Sequence, residues 1–483
     1  MSSVRKSLAF SALDSYVGLV LSIASTAIIA RILTPEQTGV FAVAAVFASL
    51  ASTFRDFGVA EYLIQEKQLD DHAIRAALTV NIAISWLMAV LLFSLAPLVA
   101  GFYRSPGVAD VMRVQSASFL LIPFGAVTMA WFRREMNMKP IFIAGLLANS
   151  ASFVVAIVLA LRGFGYMSLA WSSLAGVVVT VGVSVWMRPP AMPRWPGLQG
   201  VGRVLHFGKF ASGVYIFGQL GKSAPELIVG RIQGMAAVGM LSRGGGLVEI
   251  FNRLVLRAGM PVCLPFFAKA VRETGTPRNG LLAATAYITG LGWPFLLCIA
   301  VAAFAAVRLV YGAQWMAAVP LAQVLCGVAS IELVFFASKE ALLSIGNARD
   351  SNTLQMSMQA MRIVSLLLAA PFGLQAACWG LVVAAVGGAS HAYWLLARHG
   401  MVALPELSAV LWRSAQVSLA TALPLIVATL IWPLHEGNYL VVALGAGSVC
   451  LPCWLAALKW TGHPLWPEIR SVAARLGLGA KSA

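Results

Sequence analysis

Long apolar runs, each about as long as the 20 residues a helix needs to cross a bilayer, fill most of the chain and are separated by short polar or Pro/Gly-rich breaks. Set against those breaks, the runs predict membrane-spanning helices over 8–31, 39–54, 77–101, 115–132, 141–162 and 165–187, and then over 207–230, 236–252, 281–307, 316–338, 352–370, 373–397, 412–432 and 438–458. The pattern is that of an all-α integral membrane protein with about fourteen spans. Arg243 and three consecutive glycines, Gly244 to Gly246, interrupt the run at 236–252 and are expected to loosen its helix. Pro371 and Gly373 split the runs on either side of them.

An internal repeat orders these spans. The segment A-R-I-L-T-P-E-Q-T-G-V over 30–40 is echoed by G-R-I-Q-G-M-A-A-V-G-M over 230–240, so that Arg31 and Gly39 recur as Arg231 and Gly239. Phe10 and Gly18 recur as Phe210 and Gly218 at the same offset. Six predicted spans separate the equivalents, and an even number preserves direction, so the repeat is a parallel one. The expected organisation is an N-terminal lobe of six helices (1–187), a cytoplasmic linker (188–206) and a second lobe of six (207–397). Two further helices and a tail follow (398–483). The linker holds Arg188-Pro-Pro-Ala-Met-Pro-Arg-Trp-Pro, a polar, proline-rich stretch.

Composition agrees and removes alternatives. Hydrophobic residues make up 60% of the 483 positions and charged residues 11%, with mean hydropathy +0.84; soluble domains lie near about 45–50% and about 25%. A large soluble domain is excluded. The net charge is +16, from 34 Lys and Arg against 18 Asp and Glu. If the N-terminus is cytoplasmic, most basic residues fall on inner connections. Arg31, Arg104, Arg113, Arg162, Arg231 and Arg308 fall on the other side, and Lys222, Arg243 and Arg362 lie within spans. That bias places both termini in the cytoplasm, and anionic headgroups account for the charge without a nucleic-acid partner. Arg5 and Lys6 before an apolar run could open a secretory signal, but the first run is long, contains Asp14 and has an internal counterpart, so it is read as a retained span. The six cysteines lie mostly in apolar runs and imply no disulfide framework, and Cys450-x-x-Cys453 lacks the second pair of a zinc site. The stretches beginning at Arg55 and Phe132 are amphipathic and are expected along the inner membrane surface.

Enzyme signatures are scarce. Gly221-Lys222-Ser223 resembles the end of a phosphate-binding loop, but Ile216 stands where that loop requires glycine. His435-Glu436 lacks the second histidine of a zinc-protease helix, and there is no G-x-S-x-G elbow. No catalytic residue, metal ligand set or organic cofactor site is expected. The chemistry that stands out is ionic. Asp14, Lys222, Glu226, Arg243, Glu249, Glu332 and Arg362 all fall inside predicted spans, where each costs a few kcal/mol unless it meets a cavity or a partner. Lys222, Arg243 and Arg362 are the candidate substrate-binding cations; for each the alternative is an ion pair that only tolerates burial. Lys222 and Glu226, four apart on one helix face, can pair, and Pro225 between them is expected to interrupt the helix. Asp14, Glu226, Glu249 and Glu332 are candidate cavity acids or sites for a coupling ion, H+ or Na+. Arg31 and Arg231 end the first span of each half and read either as interface anchors or as equivalent gate residues.

Several segments carry a family resemblance: Ile28-Ile-Ala-Arg-Ile-Leu-Thr-Pro-Glu-Gln-Thr-Gly-Val, Phe54-Arg-Asp-Phe-Gly-Val-Ala-Glu-Tyr-Leu-Ile-Gln-Glu-Lys, Phe102-Tyr-Arg-Ser-Pro, Trp131-Phe-Arg-Arg-Glu-Met-Asn-Met-Lys and Ala341-Leu-Leu-Ser-Ile-Gly-Asn. With these the sequence resembles the polysaccharide transporter, or Wzx-like oligosaccharide flippase, family of the MOP superfamily, which also holds the MATE multidrug exporters and the lipid II flippase. The resemblance implies two six-helix lobes in the MATE-like arrangement plus two C-terminal helices, alternating access, and a location in the bacterial inner membrane. Its usual cargo is an undecaprenyl-pyrophosphate-linked oligosaccharide for lipopolysaccharide or exopolysaccharide. The implied partners are that lipid-linked oligosaccharide, membrane lipids and a polysaccharide polymerase or other glycan-assembly protein. The alternatives are a MATE-like antiporter of small molecules or drugs, and a membrane enzyme of glycan assembly.

Overall fold

The computed structural model describes the backbone of residues 2–56, 58–66, 69–190 and 192–475, and their side chains except at 2–12, 14–15, 207–216, 257–258, 261, 472–473 and 475. Among the described residues every regular element is helical. Nine helices among the described residues are long and apolar enough to cross a membrane, or ten if a pair bent by 56° counts as one span. The chain is a multi-pass membrane protein. The four remaining expected spans, at 8–31, 207–230, 236–252 and 352–370, also coincide with helices, but these do not meet the same measure of length and apolar content among the described residues. The helix over 348–369 misses it for a plain reason: Arg349, Asp350, Gln355, Gln359 and Arg362 punctuate it.

The chain packs as two compact units, Met1–Gly239 and Met240–Ala483. In the first, α1 (Ser2–Ile32) leads through a tight turn into α2 (Pro35–Arg55). Thr34 caps α2: its hydroxyl accepts from the Gln37 amide (3.2 Å) while the Gln37 side chain accepts from the Thr34 amide (3.1 Å), satisfying two amides that a helix start leaves open. Short α3 (Val59–Gln65) buries Val59, Tyr62 and Leu63 in a core with Ile74, Ala77, Val127 and Ala130. The amphipathic stretch after Arg55 therefore packs its apolar face into protein. Asp70 caps α4 (Asp71–Tyr103) by accepting from the Ala73 amide at 2.7 Å. The predicted span at 115–132 is divided between α5 (Pro106–Leu121) and α6 (Pro123–Arg134), because the Pro123 ring cannot continue the preceding helix. A helical hairpin follows, α7 (Met138–Leu161) and α8 (Met167–Trp186).

The proline-rich segment after α8 is fixed to α4: the Gly197 amide donates to the Thr79 hydroxyl at 2.9 Å and to the Arg75 carbonyl at 3.3 Å. Beyond it, α9 (Val201–Gln233) continues through Pro225 without a break. The packing division falls after α9 rather than in the linker, because α9 binds back onto earlier helices. Tyr103 Oη donates to the Leu227 carbonyl at 3.1 Å, and Gln219 Nε2 donates to Ser49 Oγ at 2.9 Å. The first turn of α10 (Met235–Phe251) then crosses the first turn of α2 at backbone contact: a Cβ on Gly39 would lie 1.7 Å from the Met235 carbonyl oxygen, and one on Gly239 2.0 Å from that of Pro35.

In the second unit α10 runs on through a five-residue π turn, Asn252–Leu256, into α11 (Arg257–Thr274). The unit continues with α12 (Arg278–Val301), α13 (Ala303–Val310), a 3-10 turn (Ala313–Ala318), α14 (Val319–Val334), α15 (Ser338–Ser344) and α16 (Ala348–Ala369). Gly373, at φ 111°, separates a 3-10 turn at the end of α16, Ala370–Phe372, from α17 (Leu374–Arg398). Then come α18 (Leu404–Ile431), α19 (Tyr439–Trp460) and the short C-terminal α20 (Leu465–Arg475). Gly244 to Gly246 do not loosen α10, which stays helical across them. Their missing side chains admit neighbours instead: a Cβ on Gly244 would meet the Ala322 backbone of α14 at 3.3 Å, and one on Gly246 the Tyr311 hydroxyl at 2.8 Å.

Candidate functional site

The first unit holds the candidates Asp14, Arg31, Lys222, Glu226 and Arg231. The Asp14 side chain lies outside the described ones. Arg31 is exposed at the end of α1, and Arg231, its repeat equivalent, is exposed at the end of α9. The Arg231 guanidinium sits 5.0 Å from the centre of the Phe102 ring, a cation–π contact that suits an anchor at the end of a span. Lys222 is exposed, and Glu226, one turn further along α9, is half-buried.

A cation that the sequence reading set on the membrane surface also turns inward here. Arg55 ends α2 with only 16% of its side chain exposed. Its Nε donates to Asp56 at 3.0 Å, and its guanidinium lies 5.9 Å from the centre of the buried Phe119 ring. Arg55, Asp56 and Asn81 border a small cavity of about 40 Å³ with Val59, Leu63, Ala126 and Ala130. No sequence signal separates Arg55 from the other basic residues of its loop; its burial follows from the packing of α3 against α6.

In the second unit the structure puts Arg243, Glu249, Glu332 and Arg362 in three different settings. The Arg243 guanidinium is enclosed by aromatic rings, 5.6 Å from the centre of Tyr311 and 5.3 Å from that of Trp315, both buried. Its Nε is buried without a hydrogen-bond partner. The rings come from the segment between α13 and α14, and the glycines after Arg243 let that segment approach. Glu249 is engaged one turn further on: Arg253 Nε donates to it at 3.1 Å and Asn252 Nδ2 at 3.3 Å. Arg253 is exposed and lies in the π turn, a deformation frequent at functional sites.

Arg362 pairs with Glu332 between α16 and α14. Both side chains keep partial access, 23% for Arg362 and 37% for Glu332; Arg362 stands mid-helix in α16, and Glu332 in the last turn of α14. The backbone beside the pair is tied down, since Trp293 Nε1 donates to the Ser330 carbonyl at 2.8 Å, two residues from Glu332. An arginine held by one carboxylate presents further N–H donors that a second anion can take. Among the described residues there is no group of three or more His, Cys, Asp or Glu side chains placed to hold a metal ion.

The solved structures that share this arrangement are transporters. The fold superimposes on the lipid II flippase MurJ in an inward closed conformation with TM-score 0.75, covering 94% of this chain and 99% of that one at 12% identity. An inward-facing multidrug resistance MATE transporter of the MOP superfamily gives TM-score 0.58 over 80% of this chain and 94% of that one, at 15% identity. These likenesses establish a MurJ- and MATE-like fold. In sequence, the chain is 27% identical over 341 residues to the succinoglycan biosynthesis transport protein ExoT of Rhizobium meliloti (strain 1021), and 25% identical over 335 residues to the lipopolysaccharide biosynthesis protein WzxC of Escherichia coli (strain K12). Those matches cover 66% and 67% of this chain and 65% and 66% of the two relatives. The family described as polysaccharide biosynthesis protein matches residues 28–320, more than half of the chain, and the chain belongs to it.

Proposed function

We propose that this protein is a flippase that carries a lipid-linked oligosaccharide, joined to its polyprenyl lipid through pyrophosphate, from the inner to the outer leaflet of the bacterial inner membrane by alternating access. The observation that carries this reading is membership of the polysaccharide biosynthesis family by a chain built of membrane-spanning helices. Relatives named for succinoglycan transport and for lipopolysaccharide biosynthesis support it. In this reading both termini are cytoplasmic, which the distribution of basic residues supports. A glycan polymerase acting on the outer side is the natural partner.

The cargo's pyrophosphate is the part that a bilayer opposes most, since charge is costly at its centre. Arginine answers it with paired donors. In this reading Arg362 exchanges Glu332 for a cargo phosphate, one anion for another, so the guanidinium is never left bare. Lys222, exposed on α9 of the first unit, is a further candidate cation. Arg243, held between Tyr311 and Trp315, contributes a fixed positive field. Glu332, once released from Arg362, is the first candidate for H+ coupling, with Glu226, Glu249 and Asp14 behind it; Na+ is the alternative ion.

Deleting the gene tests the proposal. Export of the strain's glycan is expected to stop while its lipid-linked precursor accumulates with the sugar facing the cytoplasm, and purified protein in vesicles is expected to make that precursor accessible to an external lectin. Unaltered glycan export together with altered resistance to cationic drugs would overturn it in favour of an antiporter.

A further inference from the structure

The crossing of α2 and α10 is reciprocal in a way that packing alone does not require. Gly39 faces the carbonyl of Met235, and Gly239 faces the carbonyl of Pro35. Gly39 and Gly239 are repeat equivalents, and Pro35 and Met235 stand at the same offset. Each copy therefore presents its glycine to the first helical residue of the other, so one local two-fold relation generates both contacts. All four residues belong to the first compact unit.

Backbone touches backbone here, so nothing flexible can give way. A Cβ at Gly39 would also lie 2.6 Å from the Met235 carbonyl carbon, and one at Gly239 2.8 Å from that of Pro35. Only glycine permits the approach. Around it the side chains close tightly: Ile29, Leu33, Val40, Val43, Val229, Met235 and Val238 are all buried. Gly230 extends the seal, with Val43, Val238 and Tyr103 all within 3.3 Å of where its Cβ would be. Further along the same helices the burial relaxes, and Tyr16 and Val20 of α1, Phe54 of α2 and Leu220 of α9 are exposed.

We propose that the Gly39–Gly239 crossing is a clasp that shuts the outer ends of α2 and α10 in this state, and that its release is an obligatory step of the transport cycle. This rests on the transport reading above. A contact between backbones, with no salt bridge or long side chain to rearrange, closes to one defined distance or not at all, which suits a two-state element. It also assigns the repeated glycines a role that neither helix propensity nor a turn demands, since both stand inside helices.

The test is a thiol-accessibility measurement in a chain whose six free cysteines are replaced and Val43→Cys is introduced. A membrane-impermeant maleimide is added from outside. Gly39→Ala and Gly239→Ala are each expected to raise labelling by about tenfold or more, the size that overpacking a tight contact produces. Gly182→Ala, at a position with no neighbour within 4 Å, is expected to leave it unchanged. Unchanged labelling with full glycan export in both alanine variants would overturn the clasp. Should those variants not reach the membrane, the glycine-intact chain decides: labelling that rises when lipid-linked glycan is being made supports the clasp, and labelling independent of it overturns it. The purified protein in vesicles gives the first readout without cargo, so a wrong cargo assignment and a wrong clasp produce different results.

Discussion

Arg362 and Glu332 show how an ion pair in a membrane helix can be read in two ways, and how the two are separated. If the pair only makes burial tolerable, removing both charges is harmless, whereas removing one strands the other. If Arg362 also meets cargo, the double variant folds but does not transport. Arg362→Ala is therefore expected to reduce both abundance and export, because Glu332 loses its partner; partial exposure keeps the loss below the about 3–5 kcal/mol of a fully buried pair. Arg362→Ala with Glu332→Ala is expected to restore abundance and not export, and immunoblots beside a glycan assay measure the two separately. Full export by the double variant would make the pair structural. The ionic residues themselves were legible in the sequence, since charges inside apolar runs are conspicuous. Their partners were not. Glu332 and Arg362 lie on different helices, and Arg243 meets rings supplied by a segment beyond α13. Such contacts depend on which helix faces face one another, which hydropathy does not encode.

Helix α20 is short and would be marginal alone, so its place is set by what it docks on. Leu465, Trp466 and Ile469 pack against Val417, Ala457 and Leu458, and His463, 1% exposed, ties the preceding turn down. Its Nδ1 accepts from the Leu465 amide at 3.2 Å and its Nε2 pairs with Ser414 Oγ at 3.1 Å, which in turn meets Thr289 Oγ1 at 2.8 Å. With Nδ1 accepting, the imidazole is neutral and Nε2 carries the proton. Burial first, and the charge of Arg413 second, hold its pKa down to about 4, against about 6.5 for a free histidine. A depressed histidine stabilises the docked state fully above about pH 6.5 and loses that contribution as pH falls toward 4, since protonating Nδ1 turns the Leu465 contact into donor against donor. Amide protection across α20, corrected for intrinsic exchange, is thus expected to fall between pH 6.5 and 4 in the wild type and to be low and flat in His463→Gln; a pH-independent wild type would contradict this. At this scale the sequence anticipated most helices, because a span of apolar residues admits few other structures in a membrane. It misjudged Gly244 to Gly246 and Pro225, which looked like breaks. A bundle supplies close neighbours that make small residues useful, and a helix within packed neighbours tolerates proline.

Across the whole chain, long-range contacts sort the connections by side and so test the parity of the span count without reference to hydropathy. In the first unit the segment before the span predicted at 77–101 meets the linker, the Gly197 amide donating to the Arg75 carbonyl at 3.3 Å, and the connection predicted to be outer at 102–114 meets the turn before α8, the Tyr166 hydroxyl donating to Asp110 at 3.4 Å. In the second, Arg278 pairs with Glu406 at 2.6 Å and Asp350 with His399 at 2.8 Å, both between expected inner segments. Arg308 pairs with Glu436 at 2.7 Å between expected outer ones. One missed or extra span anywhere between two partners would put them on opposite faces of the membrane, so within each unit these pairs fix the relative sidedness of the connections they join. The absolute sidedness proposed here rests on charge: the first unit's linker carries Arg188, Arg194 and Arg203, whereas the α7–α8 turn carries Arg162 alone, and basic residues favour the cytoplasmic side. In a cysteine-replaced chain in intact cells, an impermeant maleimide is expected to label Phe164→Cys, in the α7–α8 turn, without permeabilisation. It is expected to label Trp195→Cys, in the linker, only after permeabilisation; both positions are exposed. The reverse pattern would invert the protein, place the Gly39–Gly239 crossing on the cytoplasmic side and require cargo to enter where it is here taken to leave.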